Sequence, residues 1–241
     1  MSTPLFLTDA FLRHAPGTVI ARDEDRHAVI LDSALFYATG GGQPGDSGRL
    51  DWDGGQARVI EAVKAEAGAI ALLLEPEQPM PAIGTEVMQH LDWERRFAHM
   101  RVHTALHLLS VVIPFPVTGG SIAADKGRLD FDMPELPAEK EQLEASLQAL
   151  IDRDLPVGES WITDAELDAN PGLVKTMSVA PPRGSGRVRL VRIGDGADQV
   201  DLQPCGGTHV ARTGQIGAVR LGKVEKKGRQ NRRVYMHLIE P

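Results

Sequence analysis

In the first part of the chain, up to about residue 90, short apolar and β-branched runs alternate with charged or glycine-containing turns, as is typical of β-strands. Six strands are predicted, over residues 18–21, 27–31, 49–52, 57–60, 69–74 and 85–91. Asp53, Gly54 and Gly55 offer a favourable hairpin turn between the third and fourth strands. Short strands with turn signals at this spacing predict a small β-barrel.

After residue 91 the apolar residues adopt helical spacing. Asp92 can cap a helix that ends before Pro114, and residues 137–155 form a second amphipathic pattern with glutamates on its polar face. Further predicted elements are hairpins at 118–131 and 216–239, a short helix at 163–169, and strands at 157–162, 187–193 and 199–202. The fold class predicted is α+β: a β-barrel domain over 1–91, then an α+β domain with a mainly antiparallel sheet over 92–241.

Composition is that of an ordinary globular protein. The 241 residues are 42% hydrophobic and 24% charged, enough for one large domain or two small ones. A single cysteine excludes an internal disulfide and fits a reducing compartment. The first residues do not resemble a signal peptide, and no apolar run approaches membrane length. We therefore expect a cytoplasmic protein without a membrane partner.

Charge is distributed unevenly along the chain. The net charge of −7 argues against a protein that coats nucleic acid nonspecifically. Residues 135–168 contain ten acidic and two basic residues, whereas residues 183–233 contain twelve basic and four acidic ones. This contrast predicts an acidic back and a basic face that could contact phosphates.

Two separated stretches carry residues that can bind a metal. His103 and His107 lie four apart in a predicted helix, so both imidazoles project from one face. Cys205 and His209 flank two glycines that allow the backbone to turn tightly. Each stretch alone also fits buried histidines or an inert cysteine. Together they form a His₃Cys set, which is acceptable to Zn²⁺.

A third unusual stretch, residues 40–48, contains five glycines. It is not a phosphate-binding P-loop, because the Lys-Ser/Thr ending is absent and no helix follows. Two interpretations are open from composition: a mobile loop, or a rigid loop that brings backbone amides close to a ligand.

The combined motifs resemble the editing domain of alanyl-tRNA synthetases and its freestanding relatives, the AlaX-type editing proteins. The motifs are His103-x-x-x-His107, Cys205-Gly-Gly-Thr-His209, and the glycine-rich residues 41–48. Residues 127–132 and 213–217 extend the likeness over nearly the whole chain. Since the aminoacylation domain could not fit in this length, the chain is similar to the medium-sized freestanding form.

This resemblance implies a hydrolase that deacylates mischarged Ser-tRNA(Ala), and often Gly-tRNA(Ala), in trans. His103, His107, Cys205 and His209 would be the zinc ligands. Zinc can lower the pKa of a water towards ~7 or polarise an ester carbonyl. Because four protein ligands close a tetrahedral site, either one ligand is displaced, the metal becomes five-coordinate, or zinc only orients the aminoacyl end.

Discrimination against alanine requires a group that senses the serine hydroxyl. Thr104, Ser121 and Gln43 are candidates for this contact. The predicted substrate-binding set comprises Gly41, Gly42, Gln43, Asp46, Thr104, Ser121, Gly206 and Gly207. The chain departs from the synthetase pattern at Leu106, where a threonine is common, and at residues 118–121, where Gln-x-x-Ser is expected.

For tRNA, the predicted contacts are basic residues beside the first helix and in the last hairpin. They are Arg95, Arg96, Arg101, Lys226, Lys227, Arg229, Arg232 and Arg233. Together they could follow an acceptor stem through phosphate contacts. Two alternatives are a zinc hydrolase of small esters and a noncatalytic, zinc-containing tRNA-binding module. No stable protein partner is predicted, and a monomer is the default expectation.

Overall fold

A computed structural model describes residues 2–176 and 186–239. The chain divides into two compact units, Met1–Phe97 and Ala98–Pro241. The division into a β-barrel domain over 1–91 and an α+β domain over 92–241 remains a prediction. None of the described helices is long and apolar enough to cross a membrane.

The first unit is built around a closed antiparallel barrel. Its strands are β1 (Thr3–Pro4), β2 (His14–Asp23), β3 (Ala28–Leu31), β4 (Ser33–Ala34), β5 (Gly48–Trp52), β6 (Gly55–Lys64), β7 (Ile70–Leu74) and β8 (Glu86–Leu91). The barrel order is β2-β3-β7-β6-β5-β8, and the short β1 and β4 pair in parallel outside it. The predicted barrel is confirmed.

Apolar side chains that point inward at alternate positions of the strands fill the barrel. Val19, Leu31, Leu50, Val59 and Leu72 are all at most 1% exposed, and they belong to one core cluster. The predicted hairpin turn between β5 and β6 is present, with Gly54 at a φ of +85°, a conformation that favours glycine.

The second unit combines helices with two antiparallel sheets. The helices are α1 (Trp93–Val112), whose first turn belongs to the first unit, α2 (Lys140–Asp152) and α3 (Asp164–Ala169). The strands are β9 (Val117–Ile122), β10 (Lys126–Asp132), β11 (Val157–Thr163), β12 (Arg187–Ile193), β13 (Asp201–Pro204), β14 (Val219–Lys226) and β15 (Asn231–Leu238). One sheet has the order β14-β15-β10-β9 and the other β11-β12-β13. This confirms the α+β class.

Several predicted boundaries were wrong. The second helix spans Lys140–Asp152 rather than 137–155, and it begins late because Glu139 is extended, with ψ 143°. The strand predicted at 199–202 is β13, Asp201–Pro204, because a 3₁₀ turn at Gly196–Asp198 occupies the preceding residues. Asp92 caps α1 as predicted, since its Oδ1 accepts a hydrogen bond from the Arg95 amide at 3.3 Å.

Gly127 determines how α1 approaches the four-stranded sheet. A Cβ at this position would lie 2.7 Å from a methyl of Val102 and 2.9 Å from one of Leu106. The glycine therefore allows that face of α1 to pack closely against β10. Consecutive helical residues are rotated by about 100°, so the neighbouring His103 and His107 project from a different face of the helix.

Candidate metal centre

His103 and His107 lie on successive turns of α1. Both are 7% exposed, and their ring centroids are 5.3 Å apart. Burial of two imidazoles side by side is unfavourable unless their polar nitrogens find partners. The segment that follows β13 supplies those partners.

Cys205 and His209 come from the loop that follows β13, and Arg189 of β12 fixes its start. The Cys205 amide donates to the Arg189 carbonyl at 3.2 Å, so the β12–β13 pairing extends by one residue. The Arg189 guanidinium donates to the carbonyl oxygens of Cys205 and Gly207, each at 2.9 Å. The Gly207 amide in turn donates to the Cys205 Sγ at 3.4 Å.

The four predicted ligands converge. The donor atoms of His103, His107, Cys205 and His209 all lie within 4.8 Å of one another. Cys205 Sγ is 3.5 Å from His103 Nε2 and 3.3 Å from His209 Nε2. A tetrahedral zinc site with bonds of about 2.0–2.3 Å has edges of roughly 3.5 Å. The group could therefore hold a metal ion with little rearrangement.

A carboxylate orients His107. Its Nδ1 lies 3.0 Å from Asp201 Oδ2, and Asp201 is 3% exposed. The same carboxylate is paired with Lys175 Nζ at 2.5 Å and accepts from Gln203 Nε2 at 2.8 Å. Since an ionised carboxylate only accepts, His107 Nδ1 carries a proton, which leaves Nε2 for the metal.

Thr104 orients His209 in a similar way. The Thr104 hydroxyl donates to the Met100 carbonyl at 2.9 Å, so it can only accept from its other partners. Those partners are His209 Nδ1 at 3.1 Å and the Val210 amide at 3.2 Å. The predicted role of Thr104 as a substrate contact is therefore corrected: the residue is fully buried, and its hydrogen-bonding capacity is used within the protein.

Two members of the cluster have pKa values that favour metal coordination, because a thiolate and a neutral imidazole are the forms that bind a metal. Burial would raise the pKa of the Cys205 thiol, but the neighbouring charges of His103 and His209 lower it well below its usual value. Burial and the charge of His103 lower the pKa of His209 to about 3.

The pKa of His107 is shifted in the opposite direction. Burial opposes its charge, but hydrogen bonds to Asp201 and Cys205 raise its pKa to about 9. Burial would likewise raise the pKa of Asp201, but His107 and Lys175 lower it to about 2. Metal binding below about pH 9 therefore releases a proton from His107.

The residues that support the cluster through hydrogen bonds or ion pairs were not predicted from the sequence; they are Asp201, Gln203, Lys175 and Arg189. For Asp201 and Gln203 the sequence did contain a usable pattern. Asp201, Gln203 and Cys205 alternate along one strand, which places all three side chains on the same face of the sheet. Lys175 and Arg189 carried no comparable local signal.

Ser121 lies away from this centre. It pairs with Arg128, whereas the adjacent pair, Ile122 and Gly127, lies on the face that packs against α1. Because side chains alternate between sheet faces, the exposed Ser121 hydroxyl points away from the helix that carries the histidines. The predicted contact of Ser121 with an amino acid at the metal is therefore corrected.

Residues 40–48 form an ordered turn in the first unit. The backbones of Gly40 and Gln43 exchange two hydrogen bonds of 3.0 Å, and Gln43 is 1% exposed. Gly41 and Gly42 are exposed, with φ of +57° and +83°. These contacts favour the rigid interpretation of the loop.

Arg96 holds the end of this loop through Asp46, and both side chains are fully buried. The Arg96 guanidinium donates to Asp46 Oδ2 at 2.5 and 2.8 Å, and the Tyr37 amide donates to the same oxygen at 2.6 Å. Arg96 also donates to the carbonyls of Ala10 and Leu35. The predictions of Arg96 as a phosphate contact and Asp46 as a substrate contact are thus corrected to structural roles.

The other predicted tRNA contacts fall into two groups. Lys226, Lys227 and Arg229 are exposed at the β14–β15 turn, where Lys227 Nζ also pairs with Glu225 Oε2 at 2.9 Å. The remaining side chains are engaged within their own unit: Arg95 with the Gly45 carbonyl, Arg101 with the Ile216 carbonyl, Arg232 with the Gly228 carbonyl and Arg233 with the Asp130 carboxylate.

Comparison with known proteins covers both units. The family described as threonyl and alanyl tRNA synthetase second additional domain matches residues 188–235, and that described as tRNA synthetases class II (A) matches residues 14–95. The chain is 31% identical to the alanyl-tRNA editing protein AlaX-M of Methanosarcina acetivorans, with all of both chains covered. It is also 31% identical to AlaX-M of Methanosarcina mazei, covering all of this chain and 98% of the relative.

Longer relatives match as well. The chain is 36% identical to the alanine–tRNA ligase of Pyrobaculum arsenaticum over 92% of its own length, but it spans only 25% of that ligase.

Proposed function

The chain belongs to the alanyl-tRNA editing family, and we propose that it hydrolyses the aminoacyl ester of mischarged Ser-tRNA(Ala) and Gly-tRNA(Ala) in trans. One observation carries this proposal: His103, His107, Cys205 and His209 converge on one point in a chain that matches AlaX-M proteins over its full length.

Zinc is the proposed metal because the donor set combines imidazoles with a thiolate. Carboxylate oxygens, which magnesium and calcium prefer, are absent from the four donors. Bound zinc would supply Lewis acidity towards the ester carbonyl or lower the pKa of a water. Asp201 and Thr104 keep the Nδ1 protons of His107 and His209 in place, so that both imidazoles present Nε2.

Cys205 is not the proposed nucleophile. Its Sγ faces two imidazole nitrogens and accepts from the Gly207 amide, which are contacts expected of a metal-bound thiolate. Water is therefore the proposed attacking group, and an aminoacyl ester is activated enough for a positioned water to cleave it. Gly206 and Gly207 remain proposed substrate contacts in the second unit, and Gly41 and Gly42 remain predicted substrate contacts of the first unit.

The proposed tRNA contact is the exposed β14–β15 turn with Lys226, Lys227 and Arg229. Arg233 is half-buried and forms a two-point ion pair with Asp130 at 2.7 and 2.8 Å, so it supports the hairpin. Exposed cations contribute affinity through counterion release, which makes binding depend strongly on salt. The tRNA would thus be held mainly by its backbone.

The function is tested by incubating the zinc-loaded protein with labelled Ser-, Gly- and Ala-tRNA(Ala). We expect release of serine and glycine while Ala-tRNA(Ala) is spared, and a steep fall in rate between about 50 and 200 mM salt. Comparable rates on serine methyl ester would instead indicate a small-ester hydrolase. Binding of tRNA without turnover would identify a noncatalytic module, which a closed four-ligand zinc site also fits.

A second prediction concerns Asp201. Asp201→Asn replaces the carboxylate between His107 and Lys175 with an amide, which is a weaker acceptor and turns an NH₂ group towards one of the two cations. We expect zinc affinity to fall roughly 10- to 100-fold, measured by competition with a chromophoric chelator. Asp198→Asn is the matched control, because Asp198 is a largely exposed carboxylate paired with Arg153. Equal zinc affinities of the two variants would rule out the orienting role of Asp201.

A further inference from the structure

A row of three residues crosses the β11-β12-β13 sheet next to the metal centre. Trp161 of β11 pairs with Arg189 of β12, and Arg189 is hydrogen-bonded through its carbonyl to Cys205 just beyond β13. Residues paired in this way project from the same face of a sheet. At about 4.8 Å per strand, the Trp161 backbone lies about 10 Å from that of Cys205.

Side-chain contacts confirm that this face is the one that carries the metal ligands. The Glu159 carboxylate, two residues from Trp161 on β11, forms an ion pair with the Arg189 guanidinium. That guanidinium binds the carbonyls of Cys205 and Gly207. Asp201 and Gln203 share the face and contact His107 and Ser110 on α1. Trp161 therefore stands on the same sheet face as the cluster, two strands outward.

Trp161 is 44% exposed, unlike the metal ligands and Arg189. A single exposed apolar side chain is common on protein surfaces and indicates nothing by itself. Trp161 differs from such side chains because it lies on the sheet face that carries the cluster. The indole offers a flat aromatic face about two strands from Cys205, and an RNA ester with its carbonyl at the cluster would bring its base within reach of that face.

A positive charge accompanies the indole. Arg187 is exposed and lies two residues from Arg189 on β12, so its side chain shares the face, and it pairs with Thr163, two residues from Trp161. An aromatic platform beside an arginine is the usual combination for holding a base and its phosphate in single-stranded RNA. Any base can stack on an aromatic ring, because every base has a flat π-face. Such a contact would bind the 3′ end of a tRNA without sequence specificity.

We propose that Trp161 is the stacking platform for the 3′-terminal nucleobase of the aminoacylated RNA, with the exposed Arg187 adding positive charge beside it. This inference rests on the proposed function, since it takes the ester to lie at the cluster. The ligand class is a purine or pyrimidine base attached to the aminoacylated ribose. Trp161 contacts neither the ester nor the metal, so its contribution lies in substrate binding.

The test compares Trp161→Leu and Trp161→Phe with Ile60→Ala, which removes an apolar side chain of similar exposure from the other unit. The probe is the stable amide 3′-deoxy-3′-(serylamino)adenosine, and its partner probe is the same compound without the base. We expect Trp161→Leu to weaken binding of the adenosine compound roughly 10- to 100-fold, because stacking on one base is worth about that factor. Trp161→Phe keeps an aromatic face and should lose less than about fivefold.

Zinc content and binding of the base-free probe should be unchanged in all three variants. In Trp161→Leu, KM for Ser-tRNA(Ala) should rise while kcat is preserved, and Ile60→Ala should leave both parameters unchanged. Equal weakening of both probes, or no weakening of either, overturns the proposal, as does a wild-type protein that binds the two probes equally. A change of oligomeric state in Trp161→Leu without a change in KM would assign the indole to a protein contact instead. Failure of the proposed function has a different signature, namely a wild-type protein that binds zinc but deacylates no aminoacyl-tRNA.

Discussion

His103→Ala is expected to lose both the bound zinc and the deacylation of Ser-tRNA(Ala), with the rate falling at least about 10³-fold. The imidazole is 7% exposed, and its Nε2 lies 3.5 Å from Cys205 Sγ, so its removal takes one of four converging donors from the cluster. A metal that acts on a carbonyl or a water supplies several kcal/mol of transition-state stabilisation, and each 1.36 kcal/mol is about tenfold in rate. The measurements are zinc content by elemental analysis and release of label from Ser-tRNA(Ala).

The control for this prediction is His90→Ala. His90 lies on β8 outside the cluster, and its side chain is 39% exposed beside Asp51. It should retain zinc and activity, and thermal unfolding of both variants would detect a general loss of structure. Full activity of His103→Ala after complete loss of zinc would show that the metal takes no part in hydrolysis.

Local patterns made the four converging residues of the cluster predictable. Two histidines four apart share a face of any helix, and the glycines between Cys205 and His209 allow a turn whatever the surrounding fold. Neither inference depends on knowing which sheet lies opposite the helix. What the patterns could not supply was the contact between the two pieces, because that contact depends on the packing of α1 against β13.

Errors arose where the outcome depended on register or on distant partners. Ser121 was placed in the correct hairpin, but the face it occupies is fixed by its pairing with Arg128, and a shift of one residue would reverse it. Arg96 was grouped with surface cations because arginine is rarely buried. Its partner Asp46 lies 50 residues earlier, in a glycine-rich loop, so no local pattern links the two.

The buried Arg96–Asp46 pair carries the largest stability prediction. Arg96→Met should lower the free energy of unfolding by about 3–5 kcal/mol, the cost of leaving a buried charge without its partner. Besides Asp46, the substitution removes the donors for the Ala10 and Leu35 carbonyls. Urea unfolding of the variants would give the difference.

Arg95→Met is the matched control, because Arg95 is adjacent on α1, half-buried, and donates only to the Gly45 carbonyl among the contacts described. Its cost should stay near 1 kcal/mol, the value of an ordinary hydrogen bond. The double variant Arg96→Met, Asp46→Asn should cost less than the sum of the two single changes, since neutralising Asp46 removes the orphaned charge. If Arg96→Met unfolds at the same urea concentration as Arg95→Met, the pair does not hold the glycine-rich loop. Gly41 and Gly42 would then need another support to serve as substrate contacts.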